Sequence, residues 1–444
     1  MTTAAENEIL TRTGPGTTMG QLMRQFWIPA LATSELKADG EPVRFMLLSE
    51  QLIAFRDTAG RVGVMDHRCP HRCASLFFGR NEEGGIRCVY HGWKFDVDGN
   101  CLDMANVPPH QDFKHKVHAK AYKVAERNGV VYVYMGDKQD APPPLPPIEA
   151  TLLPEDQIAV HFVHRDCNWL QAAEGELDTS HIGFLHFGML QKPQIEGEDM
   201  FAVANRTPEY MSKETEFGYT YAAYRPANEG ETYWRFGQFL FPFWTMPPIG
   251  HIKQNLLTRA YVPIDDNNCM LIIIEKTGII EGDGPPREGA RKGPPPKGHP
   301  GGAHVENYVP NTTDWKGRWK IKETWHNDYL IDRDFQRAES YTGMMTFVLQ
   351  DQMITESMGA IADRTWEHLA PSDVMITRVR RRLVRAAQEF EKNGTLPKAA
   401  EDEQLFAGVR GGHFVDKENV EWLDAYQKQV EAAPLSHYLP KAAE

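Results

Sequence analysis

The chain has 444 residues, enough for two or three domains, and its formal net charge of −13 disfavours nucleic acid and anionic membranes as partners. No apolar run reaches transmembrane length and no secretory segment follows Met1. Four cysteines show no disulfide spacing and are predicted to be reduced thiols: Cys73, Cys101, Cys167 and Cys269. These features together predict a cytoplasmic globular protein.

The first third of the chain has the pattern of short strands. Residues 1–24 predict one short helix and a turn around positions 14–16, where Gly, Pro and Gly follow one another. Short β-rich segments bounded by Gly, Asp or Asn then occur at 43–48, 52–56, 62–65 and 130–134. This region therefore predicts a small all-β domain.

Two short motifs in this region have the residue types of a metal site. A Cys-x-His motif at Cys69 and His71 is followed by a Cys-x-x-His motif at Cys88 and His91. This is the layout of a Rieske [2Fe–2S] centre, in which two thiolates hold one iron and two neutral imidazoles hold the other, so that the cluster is reduced easily. A structural zinc site is the alternative, but zinc sites usually pair cysteine with cysteine and histidine with histidine.

The proline-rich stretch at 141–147 predicts a stiff linker, and the chain changes its pattern beyond it. Antiparallel strands are predicted at 217–224, 233–243, 256–262 and 270–276. Residues 282–302 are crowded with Pro, Gly and Lys and predict an exposed loop. Residues 325–393 favour helix, with an amphipathic stripe and a basic face at 374–384.

A second candidate metal site lies between the linker and these strands. His181 and His186 are five residues apart, and on a regular helix such residues point roughly 140° apart. A π-type or kinked turn at Gly183 would bring both to one face, with Asp178 one turn earlier. Two imidazoles and one carboxylate form the facial triad of a mononuclear non-haem iron(II) site. Spacing alone does not separate the candidate carboxylates Asp332, Asp334, Asp351 and Glu356.

These motifs resemble those of the oxygenase α-subunits of Rieske non-haem iron oxygenases, over most of the chain. Segments 13–20, 77–83 and 350–359 are similar to the phthalate dioxygenase branch, which includes aryl O-demethylases. The resemblance implies an α+β fold with a Rieske domain at 25–140, the linker at 141–147, and a helix-grip catalytic domain at 1–24 and 148–444. Cys73 stands where the family usually has Gly, and Gly84 where this branch often has Cys.

The resemblance also implies roles for individual residues. Asp351, after Gln350, matches the third ligand of the mononuclear iron beside His181 and His186. Asp178 matches a bridging aspartate that accepts hydrogen bonds from His181 and from His91 of a neighbouring subunit. Subunits of this branch commonly form homotrimers or stacked trimers, and a separate flavin and iron–sulfur reductase, with or without a ferredoxin, brings them electrons from NAD(P)H.

The predicted function is that of a terminal oxygenase acting on an aromatic carboxylate and O₂. Arg225 and Arg235 lie in predicted strands, and an arginine fork suits a carboxylate, although solvated or ion-paired arginines are an open alternative. Ring hydroxylation of a phthalate-like or benzoate-like acid is favoured, with O-demethylation of a methoxylated acid, such as a dehydrodivanillate-like biaryl, close behind. A Rieske electron carrier is an alternative of another class, against which His181 and His186 argue.

Overall fold

The computed structural model describes residues 2–187, 200–277, 307–344 and 346–433. Two short helices begin the chain, α1 (Ala4–Thr11) and α2 (Thr18–Arg24). Thr3 forms a capping box with α1, and Thr17 accepts a hydrogen bond from the first turn of α2. The sequence predicted only one helix here, and the second forms because the turn before Thr17 supplies a capped start. No helix in these four ranges combines the length and the apolarity needed to span a bilayer.

Ten strands follow in the first β region. They are β1 (Trp27–Ala32), β2 (Val43–Leu47), β3 (Glu50–Arg56), β4 (Val62–Asp66), β5 (Arg80–Glu82), β6 (Gly85–Arg87), β7 (Trp93–Phe95), β8 (Cys101–Met104), β9 (Ala121–Arg127) and β10 (Val130–Tyr134). One antiparallel sheet has the order β1-β10-β9-β4-β3-β2 and a smaller one the order β5-β6-β7-β8. The four predicted strands are confirmed. Their apolar residues fill two clusters, so that Leu52 and Val64 face one side of the sheet while Phe55 and Met65 face the other.

The proline-rich stretch 141–147 contains neither helix nor strand. It is fastened to the β region, since the Trp27 indole N–H donates to the Pro143 carbonyl (2.6 Å) and Arg127 donates to the Pro146 carbonyl (2.6 Å). Its role as the boundary between the domains at 25–140 and 148–444 stays a prediction.

The second region is built on one large antiparallel sheet. Its strands are β11 (Ile158–Arg165), β12 (Glu209–Glu214), β13 (Gly218–Pro226), β14 (Glu231–Leu240), β15 (Trp244–Met246), β16 (Leu257–Asp265), β17 (Asn268–Lys276) and β18 (Gly412–Lys417). Their order is β11-β17-β16-β15-β14-β13-β12, with β18 paired to β14. The four strands predicted here are confirmed, with ends that differ by a few residues.

Six further helices accompany this sheet in the described ranges. They are α3 (Trp169–Leu177), α4 (Met200–Ala204), α5 (Arg333–Ala338), α6 (Phe347–Ser357), α7 (Val374–Asn393) and α8 (Trp422–Glu431). Helices α3 and α6 pack on each other, and α3 also packs on β15 and β16. The α+β class is confirmed, as is the stripe of α7, whose Met375, Val379 and Leu383 are buried. Helix is less continuous over 325–393 than predicted, and the predicted loop at 282–302 lies outside the described residues.

Candidate metal centres

The four cysteine and histidine residues of the first motif come together on two loops of the β region. These residues are Cys69, His71, Cys88 and His91. A backbone hydrogen bond closes each loop, from Cys69 N to the Ala74 carbonyl (2.8 Å) and from Cys88 N to the Trp93 carbonyl (2.8 Å). The ring centroids of His71 and His91 are 4.4 Å apart. The Trp93 indole stacks on the His71 ring at 4.4 Å and 10°, and thereby orients it.

The chemistry of these donors fits a [2Fe–2S] cluster with mixed ligands. Cys69 and Cys88 are buried, and burial together with the neighbouring Cys88 sulfur raises the pKa of Cys69 to about 12. A thiol with a raised pKa loses its proton when it binds a cation, because the thiolate is the metal ligand. The buried Nδ1 of His91 has no hydrogen-bond partner among the described residues, which leaves it free to bind a metal. Burial, helped by His91 and Arg72, lowers the pKa of His71, so this imidazole is neutral, as a ligand must be.

A second group of donors lies beside the large sheet, where the segment after α3 meets α6. The Nε2 atoms of His181 and His186 are 3.1 Å apart. Asp351 Oδ1 lies 3.3 Å from the His186 Nε2 and 3.7 Å from the His181 Nε2. Two ligands about 2.1 Å from a metal and at right angles are about 3.0 Å apart, so this triangle fits one face of a six-coordinate ion.

Neighbouring side chains hold both imidazoles with Nε2 turned toward the centre. His186 Nδ1 donates to Gln350 Oε1 at 2.6 Å, and the Gln350 amide N–H donates in turn to the Met344 carbonyl (3.1 Å). His181 Nδ1 lies 3.5 Å from the Asp178 carboxylate. A partner on Nδ1 fixes the tautomer that leaves Nε2 free for a metal.

The electrostatics of this centre suit a divalent cation. Burial would raise the pKa of Asp351, but His186 and His181 lower it to about 2. The pKa of Asp178 is likewise lowered against burial, mainly by its hydrogen bond with His181. The His181 pKa is raised, because Asp178 and Asp351 outweigh its burial. When both imidazole rings are neutral, the two ionised carboxylates therefore give the site a net negative charge.

The predicted π-type or kinked helix through His181 and His186 is wrong. Helix α3 ends before Asp178, whose backbone is extended, and the histidines follow on a short 3₁₀ turn (His181–Gly183) and the loop after it. The Asp178 carboxylate accepts hydrogen bonds from the Ser180 amide (2.7 Å) and hydroxyl (2.8 Å). This local bonding competes with helix propagation and turns the chain, which brings both rings to one point without a helical face.

Both predicted substrate arginines are buried on the large sheet and neither is solvated. Arg225 is 2% and Arg235 4% exposed. Arg235 donates to the hydroxyls of Thr179 (3.2 Å) and Tyr233 (3.3 Å), and Thr179 directly follows Asp178 in the chain. Nε and Nη1 of Arg225 have no hydrogen-bond partner within the described ranges. Burial and the charge of Arg235 lower the pKa of Arg225 to about 10.

Sequence reasoning missed two contributions to these sites. In the sequence Gln350 is only the neighbour of Asp351, yet in the structure it is the acceptor for His186, 164 residues away. Thr179, which connects Arg235 to the segment of the histidines, was not singled out. A side chain that contacts a ligand from a remote part of the chain has no local pattern that could have indicated it.

The β domain carries a cluster site of two cysteines and two histidines, and the large antiparallel sheet carries a centre of two histidines and one carboxylate. Together these sites define an iron oxygenase that carries its own Rieske cluster. The chain belongs to the Rieske non-haem iron oxygenases, as an oxygenase subunit. Residues 26–123 match the Rieske [2Fe-2S] domain family, and residues 133–437 match the family described as LigXa C-terminal domain like.

Individual relatives agree with this family. The chain is 46% identical to the 3-chlorobenzoate-3,4-dioxygenase oxygenase subunit of Comamonas testosteroni, over 97% of this chain and 99% of that protein. It is 34% identical to the phthalate 4,5-dioxygenase oxygenase subunit of Pseudomonas putida, over 88% and 87%. The crystal structure of dicamba monooxygenase bound to 3,6-dichlorosalicylic acid shares the fold, with a TM-score of 0.52 and 17% identity over 82% of this chain and 98% of that one.

Proposed function

We propose that this subunit oxygenates the ring of a benzoate-like or phthalate-like acid. The observation that carries the proposal is a pair of buried guanidinium groups on neighbouring strands of the large sheet, one of which is bonded to the segment of the predicted iron ligands. Arg225 has N–H groups without a partner among the described residues, and Arg235 is bonded to Thr179, two residues before His181. Two buried cations without a carboxylate partner among the described residues are costly, and an anionic ligand relieves that cost.

In this proposal the two metal groups are held by seven side chains. The cluster ligands are Cys69, His71, Cys88 and His91, and the ligands of the mononuclear iron are His181, His186 and Asp351. When bound, the cluster supplies single electrons and the ferrous ion supplies the activation of O₂. The chain's own contribution is placement, because Gln350 and Asp178 hold the two imidazoles in the tautomer that can bind the metal.

Substrate binding in this proposal depends on Arg225. Its free N–H groups can donate to both oxygens of one carboxylate, and burial strengthens that contact because little water competes. Arg235 is kept in place by Thr179 and Tyr233 and adds a second positive charge. A carboxylate held at this point fixes which edge of the ring faces the iron, and so selects the carbon that is oxidised.

The test is turnover by the purified protein with a reductase, NADH and O₂. We expect 3-chlorobenzoate or phthalate to be hydroxylated and the neutral benzamide to be a poor substrate. Arg225→Gln should remove this preference for the acid, whereas Arg378→Gln, an exposed arginine on α7, should not. Formaldehyde release from methoxylated biaryl acids, without ring products, would favour O-demethylation instead.

His181→Ala separates the oxygenase from a simple electron carrier. The variant should keep the visible absorption of its cluster and lose substrate turnover. If it turned over substrate at the wild-type rate, the iron site would have no catalytic role and the proposal would fail.

The proposal includes a head-to-tail homotrimer served by a separate reductase, with or without a ferredoxin. His91 of one subunit would donate to Asp178 of the next, so that electrons cross a subunit boundary. In support, the Asp178 carboxylate is partly exposed (24%), and Tyr90, next to His91, is 54% exposed. The expected results are a solution mass of three chains, and slower electron transfer in Asp178→Asn with both metal centres retained. A monomer that is fully active would refute this arrangement.

A cytoplasmic location also stays a prediction.

A further inference from the structure

One buried cation near the iron ligands has no role in the function proposed above. Arg165, the last residue of β11, is 1% exposed. Its Nη1 donates to the Thr355 hydroxyl at 3.4 Å, and its guanidinium lies 5.6 Å from the ring centre of Tyr261. Nε and Nη2 have no hydrogen-bond partner in the part of the chain that the structure describes. A buried guanidinium with so few contacts is costly unless a nearby negative charge compensates it.

The Asp351 carboxylate contributes to compensating this charge. Thr355 lies one turn after Asp351 on α6, and its hydroxyl donates to the Asp351 carbonyl at 2.7 Å. A chain of two hydrogen bonds therefore connects Arg165 to the backbone of the predicted iron ligand. Burial lowers the pKa of Arg165, but Tyr261 and Asp351 outweigh it and the net direction is upward. In return Arg165 contributes to the low pKa of Asp351.

The other buried carboxylates nearby have partners of their own. Glu356, on α6, accepts hydrogen bonds from the Tyr329 hydroxyl (2.5 Å), the Gln352 amide (2.7 Å) and the Asp166 backbone amide (2.8 Å), and among the described residues none comes from the Arg165 guanidinium. Glu176, on α3, is paired with Arg259, on β16, and both side chains are almost fully buried. This pair is locally neutral, so it does not cancel the charge of Arg165. The positive charge of Arg165 is then available to act on Asp351 and on an ion bound by it.

We propose that Arg165 is a positioning residue for the mononuclear iron: through Thr355 it places a fixed positive charge behind Asp351, which favours the ferrous over the ferric ion. The ferric ion carries one more positive charge, and a buried cation penalises it more strongly. The centre is thereby kept in the state that binds O₂. This inference rests on the proposed iron site.

The test is the oxidation equilibrium of the iron in variants of the full chain. Arg165→Met removes the charge, Arg165→Lys keeps it, and Arg364→Met removes a control arginine. Arg364 is equally buried but is paired with Glu174 (3.0 Å), a residue outside the triad. Each protein is titrated through its potential range, and the high-spin ferric signal is followed by electron paramagnetic resonance. Iron content and the cluster spectrum report folding.

At the wild-type midpoint potential, Arg165→Met should show a ferric-to-ferrous ratio about tenfold higher, a shift of about 59 mV to lower potential for one electron. Arg165→Lys and Arg364→Met should stay close to the wild type. Thr355→Val keeps the charge and removes only the hydrogen bond that holds it, so its shift should have the same direction as that of Arg165→Met and be smaller. Arg165→Gln also removes the charge, and it replaces Arg165→Met if that variant does not fold.

Two failures can be told apart by the same measurements. Wild-type protein that holds cluster iron but no mononuclear iron would refute the proposed function itself. If the wild-type protein holds mononuclear iron and the Arg165→Met curve coincides with the wild-type curve, only the inference about Arg165 is refuted. Where Arg165→Met does not fold, the Arg165→Gln curve decides in the same way. A shift of the same size in Arg364→Met would also refute it, because the effect would then be general to buried arginines.

Discussion

Replacing Gln350 with Leu should weaken iron binding. Gln350 is fully buried, and its oxygen accepts a hydrogen bond from the His186 Nδ1 at 2.6 Å. Leucine has a similar size and no acceptor, so the imidazole N–H would be buried without a partner whenever Nε2 faces the metal. That loss is worth about 1–3 kcal/mol, or about 5- to 150-fold in affinity. The range agrees with the effect of removing other partners of metal-bound histidines, about 10- to 100-fold.

The measurement is competition for ferrous ion with a coloured chelator, with the cluster absorbance as a check on folding. Gln350→Glu should bind iron nearly as well as the wild type, because a carboxylate can accept the same hydrogen bond. The matched control is Gln352→Leu, on the same helix. Gln352 is also buried, but its amide donates to Glu356 (2.7 Å) and to the His164 carbonyl (3.2 Å), so its loss should reduce stability and leave iron affinity unchanged.

An equal loss of iron affinity in Gln350→Leu and Gln352→Leu would refute this reasoning, since the effect would then come from the packing of α6. Unchanged affinity in Gln350→Leu would refute it as well, because the contact with His186 would not control the tautomer.

Three further changes have definite expected results. Iron affinity should fall about tenfold per pH unit once the pH drops below the pKa of His181, which is raised above 6.5, because the metal must displace a proton; chelator competition at several pH values measures this. Cys73→Gly should raise the stability by about 1 kcal/mol, seen as a higher melting temperature, because Cys73 has the left-handed φ of 60° that glycine adopts without strain. Glu174→Gln should cost about 3–5 kcal/mol in urea unfolding, because it removes the buried carboxylate between Arg364 (3.0 Å) and Arg380 (2.5 Å).

Each of these results has a control or a contrary outcome. Affinity for iron that does not change with pH would mean that His181 is already neutral in the metal-free protein. Cys73→Ala keeps the Cβ atom and therefore the backbone strain at this left-handed φ. If its gain in stability equalled that of Cys73→Gly, backbone conformation would be excluded as the cause. Glu367→Gln removes a more exposed partner of Arg380 and should cost less than Glu174→Gln; an equal cost would contradict the argument from burial.

The cluster motif and the strands could be read directly from the chain. Two loops that are close in sequence carry the cluster ligands Cys69, His71, Cys88 and His91. The spacing of the ligands within each loop is set by local backbone geometry, so it is visible in the sequence. The predicted strands and the stripe of α7 were also recovered, because alternation and helical periodicity report which side of one element faces a core. A family resemblance, and not spacing, singled out Asp351.

Only the tertiary structure decided how distant elements meet. The chain after α3 leaves the helix because Asp178 bonds to Ser180, and no periodicity predicted that local competition. Gln350 reaches His186 only because α6 packs on α3. Arg165 is buried only because the end of β11 lies against α6, where it contacts Thr355. Such contacts depend on the relative placement of elements far apart in the chain, and a pattern within one element carries no information about which element will pack against it.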